Sequence, residues 1–242
     1  MEENKLLRYF CALSVFYAQG CFFEVKKMRK ISVKKLVLLA MLAAMAYIIV
    51  SVVRIPVVLF LKYEPKDVVV TIGGFLLGPM ASFIVSLVVS LLEMVTISET
   101  GPIGCLMNLL STCAFSCTAA VVYKRRHTLW GAVEGLVIGS VFMVAVMLLW
   151  NWLITPLYMG VDRATVEGML IPVFLPFNAL KAGLNSAMVM LLYKPLVTAL
   201  RKTGLVETAA GKSRTSRHGF YLLAAGLLIT CIVLLLVLQG KL

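Results

Sequence analysis

Apolar side chains run in seven stretches along this chain, parted by short turns that carry most of its charge. Residues 33–53 (VKKLVLLAMLAAMAYIIVSVV) predict a first membrane-crossing helix that ends near Arg54 and Pro56. Beyond the polar turn LKYEPKD, residues 68–78 fall short of the roughly 20 residues a crossing needs, and Gly78-Pro79 parts them from the next helix at 80–97. Such a short helix crosses only where its neighbours shield its ends, because hydrocarbon does not tolerate unpaired backbone. Helices at 103–123, 129–154 and about 173–200 complete a set of six, with the outer loop TPLYMGVDRATVEGMLIP between the last two. FYLLAAGLLITCIVLLLVLQG at 220–240 predicts a further span.

Composition fixes the class. The 242 residues are 61% hydrophobic and 14% charged, against roughly 45–50% apolar and 25% charged in a soluble domain. The expected fold is therefore an all-α integral membrane protein, a six-helix bundle plus a seventh, C-terminal transmembrane helix. Four parts follow: an N-terminal extension at 1–30, the six-helix membrane domain at 31–202, a basic linker at 203–219 and the additional transmembrane helix at 220–240. The extension is open to three readings: a surface helix, a poor signal-like segment, or an upstream start ahead of Met28.

A net charge of +12 raises the question of a polyanionic partner, yet the basic residues form no patch with stacking aromatics. Fifteen of the 23 lysines and arginines cluster at the first entry, in YKRRHT and after the sixth run, while the alternate connections hold only Arg54, Lys62, Lys66 and Arg163. Cytoplasmic loops are the Lys/Arg-rich ones. The charge thus reports topology and not nucleic acid: a multi-pass protein of the cell membrane, its N-terminus cytoplasmic, and its extreme C-terminus outside once the seventh span is counted.

Motif chemistry is sparse. The six cysteines lie scattered in apolar runs; Cys113 and Cys117 share a helical face, but neither His127 nor His218 is near, so the expectation is packing and no metal. VETAAGKS ends like a phosphate loop, but Val206 stands at its first glycine position and no strand precedes it. With no nucleophile elbow and no His-Glu-x-x-His either, no enzyme chemistry is expected.

Polar groups at membrane depth remain. Lys181 lies nine residues beyond residue 172, roughly 13 Å along a helix axis, too deep for easy snorkelling. Asn178 and Asn185 share its face. Asn151, between Trp150 and Trp152, stands near the outer end of the fifth helix. Ammonium, amides and flat aromatics together suit a neutral, planar heteroaromatic ligand rich in carbonyl and ring-nitrogen acceptors. Structural readings stand beside this one. Asn108 and Asn185 are candidates for interhelical hydrogen bonds, the tryptophans for an interfacial belt, Glu93 for a partner of Lys181, and Glu134 for a helix-start carboxylate.

FLKYEPKDV after the first helix, IGGFLLGP after that, NW with TPLY closing the fifth, and LPFNALKAG opening the sixth resemble the RibU family. These are the riboflavin-specific substrate-capture (S) components of energy-coupling factor (ECF) vitamin transporters. The likeness covers about residues 30–202. It implies a six-helix S component with both ends of the bundle cytoplasmic, in which riboflavin is the transported ligand and no cofactor is needed. The isoalloxazine edge would be held by Asn151, Asn178 and Lys181, with the first outer loop as a lid. Lys62, Tyr63, Glu64, Asp67, Trp150 and Trp152 would form that lid or pocket rim. Ala40 and Ala44, an A-x-x-x-A face on the first helix, would dock a transmembrane coupling (T) protein that carries two ATP-binding cassette ATPases. The chain departs from the family's K-Y-D-x-S-D loop by holding Glu64 for the first acid and Lys66 for the serine, which changes the contacts open to ribityl hydroxyls. An S component for another vitamin or a flavin derivative, and a non-transport membrane interaction protein, are the alternatives.

Overall fold

The structure, a computed structural model, describes residues 33–58, 61–98, 100–202 and 217–238. The N-terminal extension, the GKS segment and most of the basic linker lie outside the described residues. The first helix, α1 (Val33–Val52), buries Leu38, Leu42, Ala46 and Val50 while Leu36, Val37, Met41 and Ile48 on its other side are exposed. Apolar side chains on both faces are what a helix packed on protein on one side and lipid on the other requires.

Beyond α1 the chain makes a structure that the polar-turn reading missed. Strands β1 (Ile55–Val58) and β2 (Leu61–Tyr63) pair antiparallel, Ile55 opposite Tyr63 and Pro56 opposite Lys62, with an irregularity between Pro56 and Val58. Pro56 cannot donate to a ladder and fits only an edge or an irregular position. Val57, Leu61 and Tyr63 are buried, so the hairpin lies on the bundle as a cap.

Next, α2 (Lys66–Leu77) has 12 residues, every one from Lys66 to Phe75 buried. At 1.5 Å per residue it is only about 18 Å long, and α1, α3, α4 and α7 enclose it. Gly78 ends it at φ +99°, a conformation that suits glycine, and Pro79 then opens α3 (Pro79–Thr96) at a helix start, where its missing N–H costs nothing. Helix α4 (Gly101–Arg126) is followed by α5 (Leu129–Met159), whose Thr128 cap accepts from the Gly131 N–H. A Cβ added at Gly135 or Gly139 would stand 2.7 Å from the carbonyl oxygen of Ala119 or Phe115. These glycines therefore set the α4–α5 approach, as internal packing.

The predicted outer loop is mostly helical. Helix α5 runs past Pro156 to Met159, α6 (Arg163–Met169) follows, and a wide π turn (Leu170–Phe174) leads into α7 (Leu175–Lys202). Proline is tolerated there because neighbouring groups satisfy the freed backbone of a membrane helix. The last element, α8 (Arg217–Leu238), starts slightly before the predicted 220. Among the described residues, α1, α3, α4 and α5 are long and apolar enough to cross a membrane unaided, and Ala224–Val237 of α8 is a shorter apolar helix. The 28 residues of α7 are long enough too, but Asn178, Lys181 and Asn185 interrupt them.

Candidate substrate-binding site

Asn178, Lys181 and Asn185 lie three and four residues apart on α7, and all three are buried. An ammonium so placed needs compensation, which comes from α2. Asp67, in the first turn of that helix and fully buried, holds Oδ2 3.4 Å from Lys181 Nζ. Asn185 Nδ2 donates to the same oxygen at 3.2 Å, and Thr112 Oγ1 of α4 donates to Asp67 Oδ1 at 2.6 Å. Lys181 Nζ also donates to Ser111 Oγ at 3.2 Å. From the hairpin, Tyr63 OH donates to Asn185 Oδ1 at 3.0 Å. Burial pushes the Tyr63 phenol up, and the nearby Asp67 charge adds to the shift, so this donor keeps its proton.

A second cluster lies beside it. Lys66 stands between Glu64 (3.0 Å) and Glu93, donating to both Glu93 oxygens. Asn108 Nδ2 donates to Glu93 Oε2 at 3.0 Å. Arg54 approaches Glu64 at 3.1 Å and donates to the Ile97 carbonyl at 2.9 Å, tying the end of α1 to the end of α3. This corrects the expectation that Glu93 pairs with Lys181. The carboxylate reaches the lysine that follows the hairpin, and Asp67 takes Lys181 in its place. Three bases and three acids across the two clusters leave the formal charge balanced.

Between the clusters a cavity of about 760 Å³, its open mouth included, enters from the hairpin end. Arg54, Leu61, Lys62 and Glu64 line one side, Met107, Asn108 and Ser111 of α4 another, Met147 and Tyr158 of α5 a third, and Phe177, Asn178 and Lys181 of α7 the fourth. Apolar sulfur and ring surfaces thus alternate with amide, hydroxyl and charged groups.

The residues foreseen from sequence separate here. Asn178 and Lys181 line the cavity; Asn178 Nδ2 donates to the Phe174 carbonyl at 2.8 Å, leaving amide capacity for a ligand. Asn151 is fully buried one turn from Met147, donating to the Met147 carbonyl and accepting from Thr155 Oγ1, and is not among the lining residues. Of the foreseen lid, Lys62 and Glu64 line the cavity. Tyr63 and Asp67 do not sit at a rim: they are struts of the buried network, because Asp67 is the counter-charge of Lys181 and Tyr63 the donor that fixes Asn185. Trp150 borders a neighbouring apolar pocket with Ile103, Met107 and Tyr158. Trp152 faces elsewhere, donating to Glu167 at 2.9 Å beneath the Arg163 guanidinium, 5.0 Å from its ring centre. It fastens α5 to α6. Ala40 and Ala44 are exposed along α1, and Glu134, at the start of α5, pairs with Arg126.

The sequence profile of the family described as "ECF transporter, substrate-specific component" matches residues 34–193. The chain belongs to that family. As an S component it is a multi-pass membrane protein of a transport system. It is 28% identical over 178 residues to "Riboflavin transporter RibU" of Staphylococcus aureus (strain TCH60), covering 70% of this chain and 93% of that one. It is 25% identical over 161 residues to "Riboflavin transporter FmnP" of Bacillus subtilis (strain 168), covering 62% and 84%. A solved structure titled "Structure and mechanism of the S component of a bacterial ECF transporter" aligns with a TM-score of 0.59 at 29% identity, covering 69% of this S component and 98% of that chain.

Proposed function

We propose that this S component captures riboflavin from outside the cell and holds it in the cavity between α4, α5 and α7 beneath the hairpin. The observation that carries this reading is the Asn178–Lys181 pair, buried yet lining an outward cavity, with the Lys181 charge answered by Asp67. A partly apolar cavity suits a planar neutral tricycle, and the ammonium and amide supply what its carbonyl and ring-nitrogen edge needs. The names of the two relatives support the same substrate. Asn151, one turn behind the cavity wall, reaches the ligand by exchanging its bond from Thr155 for one to the ring edge.

Release inside requires the loaded protein to meet a T protein with its two ATPases. Ala40 and Ala44, open on α1, offer the close helix approach such docking needs. The bundle's two ends face the cytoplasm in this reading, and the C-terminal end of α8 faces outward.

The deciding measurement is the absorption spectrum of detergent-purified protein from a riboflavin-containing host. A near-stoichiometric yellow chromophore that disappears in Lys181→Ala is expected. Colourless protein that fails to quench riboflavin fluorescence would remove the substrate while leaving the family intact. The Asp67 pairing favours one second reading, in which Lys181 is structural only; retained flavin affinity in Lys181→Met would establish it.

A further inference from the structure

Helix α8 lies beyond residue 193, where the family match ends, and its packing gives it a task. Ala224 joins the core cluster of Val189 and Met190, while Cys231 joins that of Leu180 and Leu184. Rising numbers on α8 meet falling numbers on α7, so the two helices run antiparallel and α8 climbs toward the hairpin. The approach is close at Gly183, where an added Cβ would stand 2.6 Å from Cys231 Sγ. Gly183 lies between Lys181 and Asn185 in sequence, so α8 presses on the site helix at the level of the site itself.

The same stretch supports the hairpin. Val57, Leu61 and Tyr63 share one buried cluster with Cys231, and Leu227, Leu228 and Leu235 of α8 pack against it. A lone two-stranded hairpin is marginal in stability, so what lies behind it decides whether Tyr63 stays in place to donate to Asn185. The opposite side of α8, with Ile229, Ile232, Val233 and Val237, is exposed.

We infer that α8 is a positioning element of the binding unit: a clamp that holds the hairpin and α7 together behind the Tyr63–Asn185–Asp67–Lys181 chain and so slows escape of the ligand. Its ligand readout rests on the riboflavin reading above; its packing readout does not.

The test uses the full chain in liposomes. In Gly183→Cys, mild oxidation should consume the new thiol together with Cys231, and Gly183→Cys with Cys231→Ala should lose that cross-link. Gly183→Leu wedges α8 away and should speed riboflavin release, read as fluorescence recovery, about ten-fold, since such changes act mostly on the off-rate. Leu227→Ala with Leu228→Ala removes packing without adding bulk and should speed release roughly three-fold by the same logic. Amide hydrogen exchange at Leu61 and Tyr63 should accelerate in both variants, with or without flavin. Absence of the cross-link, or a cross-link with unchanged release and hairpin exchange in both variants, would overturn the clamp. Wild-type protein that binds no riboflavin, with hairpin exchange still accelerated in both variants, would overturn the substrate and keep the clamp.

Discussion

Helices α4 and α5 behave as two different materials along their length. At the end away from the hairpin they touch almost at the backbone, Gly135 and Gly139 lying against the carbonyls of Ala119 and Phe115. Beyond them Tyr123 and Tyr193 share a 2.6 Å hydrogen bond, with the Phe75 ring tilted against that of Tyr123, 4.6 Å between centroids. Toward the hairpin, Asn108 and Ser111 of α4 and Met147 and Tyr158 of α5 line an open cavity. Small residues let helices close and seal; long and polar ones hold them apart and offer partners. Barrier and receptor are thus made from one pair of helices by changing side-chain size and polarity along them.

The largest expected effect breaks the sealed half. Gly139→Leu drives a side chain into a backbone carbonyl that cannot rotate aside, at a cost of more than about 4 kcal/mol. The expected result is loss of folded protein, seen as a collapsed yield in size-exclusion chromatography; a well-folded variant would show that the seam is looser than its geometry. In the open half, Asp67→Ala leaves Lys181 as an uncompensated buried charge, worth about 3–5 kcal/mol in thermal unfolding. Adding Lys181→Met should restore most of that stability but not flavin affinity, which separates the residue's structural pairing from its ligand contact. Smallest is Tyr63→Phe, which removes one hydrogen bond of about 1 kcal/mol, or roughly a five-fold rise in flavin Kd. The phenol's pKa is raised above its ordinary 10.0. Its contribution is therefore constant through pH 6–9 and declines only above pH 10, where the unfolded chain ionises first. A midpoint near neutrality in the wild type, absent in Tyr63→Phe, would contradict that.

Local features were legible in the sequence. The Asn178–Lys181–Asn185 stripe follows from helical spacing, and the Gly78-Pro79 break from backbone chemistry. Pairing was not legible. Glu93 chose Lys66 over Lys181, and Asp67 moved from the expected lid to the buried network, because both choices depend on how α2 enters a space closed by α4 and α7. Glu64 and Lys66, departures from the family's loop, answer one another across 3.0 Å. The hairpin was hidden because Ile55, Val57 and Val58 continue an apolar run in which a strand and a helix tail look alike. Arg54 was visible as a span terminator, but its bridge to Glu64 and Ile97 was not.

Burial of α2 from Lys66 to Phe75 also has a bearing on how the protein is made. Its 12 residues, with Lys66 and Asp67 at their head, cannot rest in a bilayer on their own. Their hydrogen-bonding partners Ser116 and Asn185 are synthesised 45 and 118 residues later. During translation, then, the insertion machinery must shelter this segment, or leave it at the surface, until α7 emerges. The candidate site and the seat of α2 come into being in the same late step.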